Sequence, residues 1–176
     1  MPAINKKVSE KATPTPQATS GSNFQLQFLL LAAILGLVAG IVFIIIQPLF
    51  GMDTLTSRHA AFYQQLGGWG SVPAVMIAWT AHLLVSIFYG LLCAILLLNT
   101  LRLALIALGT LLFTWITTVI APPANAMIVQ LVSFQQLHSE KLPPLNFSLD
   151  VKFLLHLVFF AAISFVLYLY AKKAKQ

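Results

Sequence analysis

The stretch VPAVMIAWTAHLLVSIFYGLLCAILLL, from Val72 to Leu98, is apolar along its length and carries a single ionisable side chain, His82. At ~1.5 Å per residue a helix this long exceeds the ~30 Å hydrocarbon core of a bilayer, so the run reads as a membrane span. Composition agrees: of 176 residues 59% are hydrophobic and only 8% charged, with a mean hydropathy of +0.90. A soluble domain holds roughly a quarter charged residues, which excludes an ordinary water-solvated fold.

Three further runs have the same character. Working outward from the first, Phe24 to Ile46 reads as the span before it, Leu103 to about Ile120 as the next, and Val151 to Tyr170 as the last. The sequence therefore predicts an all-α, integral membrane four-helix bundle with spans at about 24–46, 72–98, 103–120 and 151–170. Residues 1–23 are rich in Ser, Thr, Pro, Gln and Lys without an apolar period and are expected to be a disordered cytoplasmic tail. The apolar run that follows is too long for a signal peptide and is expected to be retained as an anchor. Residues 172–176 are expected to form a short basic tail.

The connections are also legible. Pro48 ends the first span, and Ser71 and Pro73 suit the start of the second, as cap and first-turn residue. Asn99 to Arg102 leaves only a tight turn, which makes spans two and three antiparallel neighbours. Between spans one and two, Leu55, Phe62 and Leu66 recur at near-helical spacing beside Tyr63 and Trp69. This predicts a helix of about 54–66 lying in the headgroup layer. Pro122-Pro123 is expected to break span three. The stretch of about 124–134 is then too short to cross and is expected to lie at the interface, dip partway in, or extend span three past a kink.

Orientation follows from the basic residues. Lys6, Lys7, Lys11, Arg102, Lys172, Lys173 and Lys175 fall on one side, and Arg58, Lys141 and Lys152 on the other, which puts both termini in the cytoplasm. The net charge of +6 sits at the span ends and forms no stripe interleaved with aromatics, so no nucleic-acid partner is expected. The expected partners are the lipid bilayer and other membrane proteins or a second copy of the chain. No internal repeat of the transporter kind is visible. Cys93 is the single cysteine, so there is no intrachain disulfide.

Few residues are candidates for chemistry. Gly36 and Gly40 form a GxxxG, with Ala32 one step before them, a spacing that lets two helix backbones approach closely. His82, Ser86, Gly90 and Ala94 share one face of span two at intervals of four. His156 and Ser164 share a face of span four at a depth near that of His82, with Lys152 one turn before His156. An ionisable side chain within a span is a functional candidate because burying it unpaired is costly. Facing imidazoles could ligate a b-type haem or a metal, or relay protons. Against that, two ligands are too few for a closed zinc site, and no Asp or Glu within a span supplies the rest. The reading adopted is that each histidine is neutral and hydrogen-bonded to Ser86, Ser164, Thr117, Thr118 or a backbone carbonyl, with no metal and no cofactor.

Thr110, Thr114, Thr117 and Thr118 give span three a polar side that suits bonding to carbonyls one turn back. Asn125, beside the proline pair, is expected to satisfy the backbone groups freed there, or to meet a ligand. Asn146-Phe147-Ser148 has the form of a glycosylation sequon. No nucleophile with a base in reach, no paired carboxylates and no phosphate loop occur, so no hydrolytic enzyme is expected.

Three pieces carry a family resemblance: GLVAGIVF at Gly36–Phe43, HLLVSIFYGL at His82–Leu91, and HLVF at His156–Phe159, with a proline-interrupted end of span three between the second and third. In these the chain resembles small four-span bacterial membrane proteins, the YagU-like group and those labelled sodium:proline symporter-like. The resemblance implies a four-helix inner-membrane protein with His82 and His156 as family features, and implies no activity. Gln47 stands where the family pattern has an acidic residue at the end of span one, so a role resting on that charge is not carried over.

Three functions follow as expectations. The first is a non-enzymatic accessory or assembly protein of the membrane. The second is a small transporter or channel that dimerises through the Gly36 and Gly40 face, with His82 and His156 in its pathway. The third is a haem- or metal-binding redox protein.

Overall fold

The computed structural model describes residues 19–133 and 138–174, with the side chains of residues 19–22, Leu66 and Lys141 left aside. These residues are helical, with no strand among them. Helix α1 is Thr19–Ile46, α2 Leu55–Gly67, α3 Ser71–Asn99, α4 Leu103–Val132 and α5 Val151–Lys173, with single 3-10 turns at Gln47–Phe50 and Ser139–Lys141. Four of them, α1, α3, α4 and α5, are long and apolar enough to cross a membrane.

The sidedness of each helix explains the assembly. Buried positions of α1 follow one another at intervals of four, Phe28, Ala32, Gly36, Gly40 and Ile44, with Phe43 buried beside the last. Those of α3 do the same: Ala74, Ala78, His82, Ser86, Gly90 and Ala94. The two stripes meet. A methyl group on Gly36 would strike the Ser86 carbonyl oxygen, one on Gly40 would lie 2.6 Å from Ser86 Cβ, and one on Gly90 would strike the Ala32 carbonyl. The GxxxG face is thus occupied within the chain, by α3 rather than by a second copy. Between apolar helices in lipid no hydrophobic drive remains, so this close backbone approach and its dispersion contacts are what hold α1 on α3.

Helix α5 completes the centre by packing on α1 and α3, while α4 packs chiefly on α5 and touches α3 only lightly. Phe28, Cys93, Phe160, Ile163 and Leu167 form the interior there. At one end Phe24 stacks on Tyr170, with centroids 6.2 Å apart, so α1 and α5 run antiparallel. Large apolar side chains such as Leu30, Ile34, Leu84, Leu108 and Phe165 cover the outside of the bundle. A surface of this kind is solvated by hydrocarbon.

The structure alters the expected boundaries in three places. Helix α1 begins at Thr19, so residues 19–23 are helical where a disordered tail was expected; residues 1–18 lie outside the described residues. Helix α3 begins at Ser71 with Gly70 as its cap, not Ser71. Helix α4 does not end at Ile120 but continues through Pro122 and Pro123 to Val132, so of the three courses expected for the 124–134 stretch the extension of span three is the one found; Phe134 lies outside the described residues. A proline at 123 has no N–H for the Val119 carbonyl one turn back. The backbone N–H of Asn146 donates to that carbonyl instead, at 3.0 Å. One of the two acceptors that the proline pair orphans is thus satisfied from outside the helix.

The extension of α4 gives α2 something to rest on. Helix α2 packs on α3 and on the far part of α4. Its buried face is Thr56, His59, Ala60 and Tyr63, and Tyr63 is fully buried against Ala74, Ala78 and Val129. Of the expected apolar pattern, Leu55 and Phe62 lie off this face, with Phe62 47% exposed; the side chain of Leu66 lies outside what is described. Tyr63 is a core residue of this end of the bundle.

A chamber at one end of the bundle

Helices α1 and α4 arrive at the same end, α3 and α5 leave from it, and α2 with the 138–150 segment covers it. Local sequence sets the cover. Gln47, 2% exposed, turns its Oε1 to accept the Leu55 N–H at 2.8 Å, while the Thr54 hydroxyl accepts from Ser57 N–H. Two of the orphan donors at the start of α2 are thereby satisfied. At the start of α5, Asp150 accepts from the N–H groups of Lys152 and Phe153. Gln130 Oε1 accepts from the His138 N–H at 2.8 Å and ties the far segment to α4.

Under this cover lies a cavity of about 480 Å³. Its ionisable wall is formed by Arg58, His59, His138, Lys152 and His156. Amides from Gln47, Gln65, Asn125, Gln130 and Asn146 alternate with apolar groups such as Phe43, Phe62 and Pro122. No Asp, Glu, Ser or Cys is among the described residues of its wall. Among the described residues the salt bridge is between His138 and Glu140, at 3.0 Å, so Arg58 and Lys152 enter the wall without an acidic partner. The Arg58 Nε is buried and has no hydrogen-bond partner.

The sequence-predicted residues are distributed unevenly about this chamber. His156 and Asn125 line it, whereas His82 and Ser86 do not. His82 lies in the α1–α3 seam, where its Nε2 donates to the Gly40 carbonyl at 3.0 Å, and the Ser86 hydroxyl donates to the His82 carbonyl at 2.9 Å. His156 Nδ1 lies 3.2 Å from the Thr118 hydroxyl, whose own proton goes to the Thr114 carbonyl at 2.8 Å. Thr110 donates to Ser164 at 3.2 Å, so Ser164 serves the α4–α5 contact and neither histidine. The expected partners for the imidazoles, a carbonyl and a threonine hydroxyl, are the ones found. Asn125 does not serve the freed backbone; Asn146 does.

The two imidazoles do not face one another across open space. The Phe43 ring packs on both, with centroids 6.1 Å from His82 and 5.2 Å from His156. Of the two, only His156 borders the cavity, so a haem gripped between them has no slot. No group of three or more His, Cys, Asp or Glu capable of holding a metal occurs among the described residues.

His59 and His138 are the histidines that sequence reasoning missed, and His59 is the buried one. It is 6% exposed and belongs to the chamber wall. Burial, with the Arg58 guanidinium and then His82 adding to it, pushes its imidazole down to about 4. At neutral pH it is uncharged, and Arg58 and Lys152 carry the positive charge of the wall. The available signal was the spacing Thr56, His59, Ala60 and Tyr63, one helix face written in polar and small residues. The chain was compared with known proteins, and no family model, no curated protein and no solved structure matches it.

Proposed function

We propose that this chain is a non-enzymatic, multi-pass protein of a bacterial inner membrane, its ends on the cytoplasmic side, that serves as an accessory protein by holding a small ligand in the chamber. The observation that carries the reading is the cavity of about 480 Å³ with two cations, three histidines and five amides converging on it. Ligand sites of about 300–1,000 Å³ are ordinarily built this way, apolar with a few convergent polar groups. Support for a non-enzymatic role comes from the wall itself, which offers no Ser or Cys nucleophile and no carboxylate base among the described residues. The sidedness rests on the seven basic residues that fall with the chain ends against three opposite. The resemblance to YagU-like four-span proteins points to the same membrane.

A conduction pathway through both histidines has less support, because His82 is engaged in the α1–α3 seam and does not border the chamber. Redox chemistry on paired imidazoles has less support for the same reason. The test is a thermal-shift screen of the detergent-purified protein against anionic, neutral and cationic amphiphiles, run in parallel on Ala126→Phe, which fills the chamber. The expected result is at least one class that raises the Tm of the native chain and leaves the filled variant unmoved. Equal shifts in both proteins across every class overturn the reading.

A further inference from the structure

A second hollow, about 220 Å³, runs between α1 and α5 and is lined by apolar side chains only, among them Leu35, Val42, Ile46, Val158 and Val166. It meets the chamber at Phe43, whose ring belongs to both linings, and at the adjacent pair Leu155 and His156, one in each. From Ile46 to Leu35 it descends α1 by about 16 Å at ~1.5 Å per residue, the depth of one leaflet of a ~30 Å core. Val38 and Val158 on its rim are half exposed, so it opens sideways to the surroundings of the bundle.

The chamber above it is built to donate. Arg58 and Lys152 have no acidic partner among the described residues, and no carboxylate lines the wall. Asp150, the nearest acidic residue to Lys152 in sequence, is turned to the α5 N–H groups, and Glu140 is paired with His138. The amides of Gln47, Gln130 and Asn146 already accept backbone N–H groups through their oxygens, which leaves the NH₂ as the end each can still offer. A wall of cations and N–H donors selects an anion with several acceptor oxygens.

We propose that the ligand is an anionic phospholipid of the leaflet at this end, its phosphate headgroup in the chamber against Arg58 and Lys152 and one acyl chain in the α1–α5 groove. The proposal rests on the ligand-holding reading above and names its substrate class. A soluble anion would use the chamber and leave the groove idle; a neutral lipid would use the groove and leave the two cations without a counter-charge.

The experiment is native mass spectrometry of the detergent-purified chain titrated with phosphatidylglycerol, phosphatidylcholine or inorganic phosphate, with Arg58→Gln, Lys152→Gln, Val158→Trp and Ala126→Phe alongside. The native chain is expected to retain phosphatidylglycerol over phosphatidylcholine. Arg58→Gln is expected to lose that preference by about tenfold or more, since a charge-assisted bond is removed. Lys152→Gln, at an exposed position, carries the same test if Arg58→Gln does not fold. Val158→Trp is expected to weaken phosphatidylglycerol and leave inorganic phosphate unchanged. An unaltered lipid preference in the charge variant that folds, or unaltered phosphatidylglycerol retention in Val158→Trp, overturns the lipid proposal. If inorganic phosphate alone binds and Ala126→Phe removes it, the ligand-holding reading stands without the lipid. If Ala126→Phe changes no retention at all, both fall.

Discussion

The imidazole of His82 donates through Nε2 to the carbonyl oxygen of Gly40, 3.0 Å away and on another helix. Only a glycine lets the α1 backbone come near enough for this bond, since a methyl at position 40 would lie 2.6 Å from Ser86 Cβ. The histidine and the GxxxG therefore form one device that locks α1 to α3. His82→Ala removes the donor and is expected to cost about 1–3 kcal/mol. Unfolding of the reconstituted protein by steric trapping measures it, and an unchanged stability would show that the bond contributes nothing.

Gly36→Leu and Gly90→Leu act on the same seam by volume. Each places a side chain against a carbonyl oxygen, of Ser86 and Ala32 respectively, where no flexible group can give way. Either is expected to prevent α1 from docking, read as loss of the monodisperse peak in size exclusion. Gly51, whose added methyl meets nothing within 4 Å, has a positive φ of 68°. Gly51→Asn, a residue tolerant of that region, is the matched control and is expected to leave the peak in place.

Proline 123 creates the acceptor that Asn146 uses. In Pro123→Ala the restored N–H competes for the Val119 carbonyl, so α4 gains an internal bond and the 146 segment loses its anchor. Hydrogen exchange read by mass spectrometry is expected to quicken at the Asn146 amide in the variant relative to the native chain. No change at Asn146 would mean that the anchor is not used in solution.

His59 predicts a pH dependence of stability. The unfolded chain takes up a proton near 6.5, whereas the folded imidazole, held down by burial and then by Arg58 and His82, does so only near 4. Between these values the unfolded state binds more protons, so this contribution is full above about pH 6.5 and is lost as pH falls toward about 4, to a depth of up to about 3 kcal/mol. A neutral replacement, His59→Gln, is expected to flatten the fall in Tm over that window. A profile of unchanged slope would count against a buried, neutral His59.

Span number, the GxxxG and the two histidines within spans, His82 and His156, were readable because each is a local property. Hydrophobic length marks a span, and a four-residue interval marks a face, whatever the partner. Three things were not local. The continuation of α4 past Pro122 and Pro123 depends on a hydrogen bond from position 146, which no rule for proline contains. The buried face of α2 is Thr56, His59, Ala60 and Tyr63, while the bulkier Phe62 stays half exposed, because the helix packs on small residues of α3 and not on a wide apolar core. The chamber exists only where these two features meet, so in sequence Arg58 counts only toward the charge balance of the loops and His59 carries no signal of its own.

The Val119 carbonyl has a consequence for how the cover of the chamber is specified. A break in a helix ladder serves here as a fixed address that one position of a distant segment must reach. The group that reaches it is a backbone N–H, which every residue except proline supplies. Chemistry at position 146 is thus left open for the chamber, and what closure demands is a spacing: the number of residues between the proline pair and the amide that answers it.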